Sequence, residues 1–137
     1  MDPAANLVTI DYYKAGVKTN IPEASASFIT IKNDTNALVG FADSYSRTAG
    51  SSVDASQAKN SEAIEITYGS TQHESFINSN LSSTDYKRLL IVPMPDRSTV
   101  KLLFGYDTYT TEQAFYNGSW AESVLEAARG YKPEVNQ

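Results

Sequence analysis

Four apolar residues in succession, Leu89-Leu90-Ile91-Val92, constrain this chain more than any other feature. The run is too short for a buried helix and is closed by Pro93, so it reads as a strand. Successive strand residues point to opposite sides, and an unbroken apolar run therefore needs cover on both faces. Such a strand belongs inside a sheet, not at its edge. The flanking sequence supplies partners for it. Val100, Leu102, Phe104 and Tyr106 alternate along what reads as the last clear strand, and Ile64, Ile66 and Tyr68 alternate with Glu65 and Thr67. Near the start, Leu7–Tyr13 alternates in the same way, with Val8, Ile10 and Tyr12 on one face and Thr9 and Asp11 on the other.

The remaining segments are assigned around these strands. Ala15–Ala24 carries Gly16, Asn20 and Pro22 and reads as a turn. Ser25–Lys32 reads as a second strand, with Ile29 and Ile31 on one face, and Asn33-Asp34-Thr35-Asn36 as a hairpin turn leading into a return strand Ala37–Tyr45. Arg47–Ser61 lacks periodicity and is taken as a long loop with a helical turn at Ser52–Ala58. Gly69-Ser70 is expected to end the Ile64 strand, with a separate short strand at His73–Ile77 and a helical turn at Glu112–Tyr116. Finally, Ser119 and Glu122 have capping-box spacing, and Trp120 and Val124 share an apolar face. Gly130 stands where a left-handed cap is wanted, so a helix is predicted over Trp120–Arg129 with Trp120 as its plug against the sheet. The fold class that follows is mainly β. We expect an antiparallel β-sandwich or strongly bent sheet with one C-terminal α-helix packed against it, in a single domain over residues 1–137 whose ends, 1–6 and 133–137, fray.

Composition narrows the function by exclusion. The chain has no cysteine, which removes disulfide frameworks, thiolate nucleophiles and thiolate metal sites. Eleven Lys and Arg against sixteen Asp and Glu give a net charge of −5, and the cations are scattered rather than gathered into a stripe. Phosphate backbones and anionic membranes are bound mainly through clustered cations, so no nucleic-acid partner is expected. No apolar run reaches the roughly 18–20 residues of a membrane span, and the chain reads as soluble, either cytoplasmic or secreted in mature form.

Motifs for chemistry are sparse. The one histidine, His73, could act in a Ser–His–Asp set with Asp43, Asp85, Asp96 or Asp107, but no Gly-x-Ser-x-Gly elbow accompanies it. With sixteen acids, a pair suited to glycoside hydrolysis is not specified by sequence. There is no phosphate-binding glycine loop and no EF-hand spacing, so no cofactor and no metal are assigned; Asp43, Asp54 and Asp107 read as turn and cap residues. No catalytic residue is assigned either.

The most suggestive residues are Tyr106, Asp107 and Tyr109 at the end of one strand, with Asp43 and Tyr45 at the end of another. Both groups set tyrosines beside short acids, the chemistry that holds a neutral ligand by stacking and a few hydrogen bonds. The leading expectation is a non-enzymatic, lectin-like binding module for a neutral small molecule or glycan, using these five residues at one sheet end. A self-assembling structural or toxin-like homo-oligomer is the alternative, and a hydrolase with an Asp/Glu pair the third reading.

Overall fold

The computed structural model describes residues 8–40, 43–44, 55–75, 83–93, 99–106 and 109–132, with the backbone alone at 40, 43–44, 74–75, 83–84 and 110–117. The expectation for the chain ends lies outside these residues.

The strands are β1 (Val8–Lys14), β2 (Val17–Ile21), β3 (Asp43–Ser44), β4 (Glu62–Ser75), β5 (Ser83–Pro93), β6 (Thr99–Gly105) and β7 (Tyr109–Asn117). They form one open sheet in the order β2-β1-β4-β5-β6-β7-β3, with every neighbouring pair antiparallel. The chain is thus mainly β, but no second sheet faces the first among the described residues. Three helices cover it instead: α1 (Ala26–Gly40), α2 (Ala55–Ser61) and α3 (Ser119–Gly130).

The interior position expected for Leu89–Val92 holds. β5 is the central strand, Leu89 and Ile91 join the core under α1 and α3, and Leu90 and Val92 join a smaller one under α2. The larger core gathers Ile10, Ile64, Ile66, Val100, Leu102 and Phe104 from the sheet with Phe28, Ile31, Leu38, Val124 and Leu125 from the helices. The smaller one consists of Ala58, Ala63, Leu90, Val92 and Leu103.

Several local expectations are corrected. The hairpin expected within Ser25–Tyr45 is not formed among the described residues: Ala26–Gly40 is one helix, whose buried residues Phe28, Ile31, Thr35, Leu38 and Val39 recur at helical spacing. Ser25 starts it, its hydroxyl accepting the Phe28 N–H at 3.1 Å, so the β-branched Ile29 and Ile31 are overruled by a cap and a tertiary face. The predicted turn at Ala15–Ala24 is two turns, one at Ala15 and Gly16, both at positive φ, and one at Glu23 and Ala24, with Val17–Ile21 between them as β2. Gly69-Ser70 does not end a strand, because β4 continues to Ser75 through a register shift between Thr67 and Gln72. Glu112–Tyr116 is strand within β7, not a helical turn, so β6 is not the last strand. α2 lies close to the helical turn expected at Ser52–Ala58 but begins at Ala55 and runs to Ser61.

At the C-terminus the helix stands as expected, but its caps differ. The N-cap position is Gly118, with no side-chain cap bond, and Ser119 is the first helical residue. Gly130 ends the helix without a left-handed angle, followed by the extended Tyr131, whose N–H reaches the Ala128 carbonyl at 3.3 Å. Trp120 is half-buried against the larger core. α3 is fastened at its other end by Arg129, which grips Glu62 of β4 with Nε–Oε2 and Nη2–Oε1 distances of 2.6 and 2.7 Å, while the Tyr12 hydroxyl donates to the same carboxylate. The Ser123 hydroxyl donates to Asp34 and joins α3 to α1.

Candidate functional site

The alternation that sends Ile64 and Ile66 to the larger core sends Ala63, Glu65 and Thr67 to the opposite face, under α2. Glu65 is only 5% exposed there. The Tyr109 hydroxyl donates to its Oε2 at 2.5 Å, the Tyr13 hydroxyl to its Oε1 at 3.4 Å, and the Lys59 ammonium of α2 lies 3.0 Å from Oε2. Lys59 also sits 4.8 Å above the Tyr13 ring. Burial alone would raise the Glu65 pKa, but hydrogen bonds from Tyr109 and Lys59, with the charges of Lys59 and Arg88, outweigh it and hold the carboxyl below its ordinary range. Burial, followed by the Glu65 charge, pushes Tyr13 up to about 12. Tyr109 is raised further, by burial and by its bond to Glu65. This is an ionised, well-bonded carboxylate that pins α2 to the sheet. The hairpin tip completes the fastening, with Ala15 and Gly16 donating their N–H groups to the Ser61 and Lys59 carbonyls at the end of α2.

Beside this network the sheet opens. Thr67, Arg88, Gly105 and Tyr109 stand on one rung across β4, β5, β6 and β7. It borders both irregularities of the sheet. Beyond it, β4 sets Tyr68, Gly69, Ser70 and Thr71 against Lys87 alone before pairing resumes at Gln72 and Tyr86, and β7 shifts register against β6 between Leu103 and Gly105. Bulges of this kind break the ladder and re-aim side chains. A cleft of about 300 Å³ lies there, lined by Thr67, Tyr68, Lys87, Arg88 and Tyr106. That volume is at the small end of ligand pockets, roughly 300–1,000 Å³.

Its walls differ in packing. Tyr68 meets Tyr86 edge-on at 5.8 Å between ring centroids, and Tyr86 packs on Phe104 at 4.9 Å, so an aromatic relay from the core fixes one wall. Tyr106, 46% exposed at the end of β6, forms a looser wall. Arg88 is half-buried, and its charge acts on Glu65, Tyr13 and Tyr109. Lys87 is exposed and makes no ion pair among the described residues.

Of the residues singled out in sequence, Tyr106 lines the cleft and Tyr109 stands on the adjoining rung with its hydroxyl turned to Glu65. Asp43 pairs with Phe115, six residues along β7 from Tyr109, a separation of roughly 20 Å at strand rise. Its backbone is therefore not brought to the same sheet end. Tyr45 and Asp107 lie outside the described residues, as does Asp54. Sequence reasoning missed Thr67, Tyr68, Lys87 and Arg88, although Lys87-Arg88 is the one place where two basic residues are adjacent. His73 does meet one of its candidate partners, its Nδ1 lying 2.5 Å from Asp85 Oδ1, but both side chains are more than half exposed on a β4–β5 rung. Among the described residues no group of three or more His, Asp or Glu is placed to hold a metal, and no helix is long and apolar enough to cross a membrane.

No family model matches this chain, and no curated protein or solved structure matches it as a relative.

Proposed function

We propose that the protein is a non-enzymatic binding module that takes a small ring-bearing ligand, with saccharides as the leading class, in the cleft beside Arg88. The observation that carries this reading is the cleft itself. A rooted tyrosine and an exposed tyrosine flank a cavity that also offers a hydroxyl and two cationic groups, the mixture of apolar faces and a few polar fixtures that orients small ligands. The carboxylates favour binding over hydrolysis. Glycoside hydrolysis needs two carboxyls flanking the ligand, and among the described residues no Asp or Glu lines the cleft.

Titrating a panel of mono- and disaccharides by calorimetry and by nuclear magnetic resonance tests the reading. At least one saccharide should bind, and Tyr106→Ala should weaken it tenfold or more, about 1.4 kcal/mol. Unfolding stability should change by less than about 0.5 kcal/mol, as expected for an exposed side chain. Saccharide binding that ignores Tyr106→Ala, or no saccharide binding at all, would remove the cleft as the site.

A further inference from the structure

The lining of the cleft is unbalanced in hydrogen-bonding character. Among the lining side chains, lysine and arginine only donate, and those able to accept are the hydroxyls of Thr67, Tyr68 and Tyr106. A neutral sugar presents hydroxyls that each donate as well as accept, and described lining side chains that carry no carboxylate or amide oxygen serve the donating half less well than the accepting half. An anionic group has no such need, because it only accepts. The charge balance points the same way. In a chain of net charge −5, the described residues that line this cavity include two cations and no acid, which favours an anionic group there.

The two cations are not equivalent. Arg88 leans toward the Glu65 network, whereas Lys87 is exposed and makes no ion pair among the described residues. Successive strand residues ordinarily face opposite sides, yet both line one cleft, at the point where four residues of β4 stand against Lys87 alone.

Resting on the binding-module reading, we infer that the ligand is an acidic saccharide, a uronate or a sugar phosphate, whose ring lies between Tyr68 and Tyr106 and whose anionic group meets Lys87 with support from Arg88. This departs from the neutral ligand that the tyrosine-and-acid pattern of the sequence suggests.

Calorimetric titration of the whole chain with four probes decides it: glucose, glucuronate, glucose 6-phosphate and inorganic phosphate. Glucuronate or glucose 6-phosphate should bind at least tenfold tighter than glucose, and the preference between those two identifies the anion as carboxylate or phosphate. Lys87→Gln should bring the advantage over glucose below threefold, and raising salt should weaken the charged probes selectively. Lys87 is exposed, so melting curves of the variant should overlay those of the parent; Lys87→Glu provides a second variant in which the advantage should vanish or invert. Glucose binding as tightly as the charged probes, with loss in Tyr106→Ala, would overturn the acidic class and leave the binding module standing. Inorganic phosphate matching glucose 6-phosphate would also overturn it, because the ring would then contribute nothing. Failure of all four probes would overturn the acidic class, and the binding-module reading falls with it only if the wider saccharide panel fails as well.

Discussion

On the face covered by α1 and α3, the sheet buries Ile10, Ile64, Ile66, Leu89, Ile91, Val100, Leu102 and Phe104, with the Glu62–Arg129 pair at the end of α3. On the face under α2 it buries Ala63, Leu90, Val92 and Leu103 together with Asp11, Glu65 and Lys101. Both faces exclude water, but by different means. Apolar burial is non-directional and tolerates small displacements. Burial of a charge holds only while each partner stays within hydrogen-bond reach, because a charge left unpaired costs several kcal/mol. The polar face is therefore geometrically more exacting while supplying less hydrophobic stabilisation, and it borders the cleft. The network holds the sheet to α2, and the charge of Arg88 at the cleft acts on it.

The comparison can be broken first at its apolar side. Phe104 is buried in the larger core and carries the aromatic relay to Tyr68, so Phe104→Ala should destabilise by about 3–5 kcal/mol in denaturant unfolding and loosen the rigid wall of the cleft as well. A loss below about 1.5 kcal/mol would mean that this face is not the main source of stability.

On the polar side, Glu65→Ala strands the Tyr109 hydroxyl and the Lys59 ammonium and should cost about 2–3 kcal/mol. Replacing acceptor and donor together, Glu65→Leu with Tyr109→Phe, should recover part of that loss, since two apolar groups leave less unsatisfied. Full recovery would show that the polar face is kept for the neighbouring cleft and not for stability.

Acid should weaken both faces by a modest amount. Hydrogen bonds from Arg129 lower the Glu62 pKa against the opposing effect of burial, and Glu65 is lowered as described. A carboxyl whose folded pKa is depressed contributes stability that is complete above its ordinary value, 4.5, and is lost as pH falls through the folded value. Denaturant midpoints should thus decline as pH drops below about 4.5, and Glu62→Gln and Glu65→Gln should each flatten that decline. If neither does, the acid sensitivity arises elsewhere.

What the sequence conveyed follows the same division. β1, β4, β5 and β6 announced themselves because one or both of their faces lie on apolar cores, and a pattern of period two records that directly. The helix at Trp120–Arg129 was legible through Trp120 and Val124, its boundaries less so. α1 was not, since Ile29 and Ile31 suggested a strand face, yet Ile29 is exposed and the buried set runs Phe28, Ile31, Thr35, Leu38 and Val39. The polar face was illegible for a different reason. Glu65 does turn away from Ile64 and Ile66, but a charged residue on the outward face reads as solvated unless its covering helix is known, and the helical turn expected at Ser52–Ala58 has too little apolar character to be placed over it. Tyr106 could be found as an aromatic leaving a strand. Lys87 and Arg88 became visible as lining one cleft only once β4 was seen to leave the ladder opposite Lys87.

The finest division falls within the helical face, between two serines at helix starts. Ser25 precedes α1 with its hydroxyl accepting the Phe28 N–H at 3.1 Å and donating to the Pro22 carbonyl at 2.7 Å, so Ser25→Ala removes a satisfied cap and should cost about 1 kcal/mol. Ser119 has the capping-box spacing to Glu122, but it is the first residue inside α3, it is exposed, and the cap position before it is Gly118 with no side-chain bond. Ser119→Ala should therefore change stability by less than about 0.5 kcal/mol, as surface substitutions do. Denaturant midpoints of the two variants, taken side by side, separate a cap made by geometry from one suggested by spacing. A loss of about 1 kcal/mol from Ser119→Ala would restore the capping box and move the start of α3 one residue along. Equal, negligible losses from both would mean that α1 is held by its apolar face against α3 and the sheet, with the Ser25 bonds contributing nothing measurable.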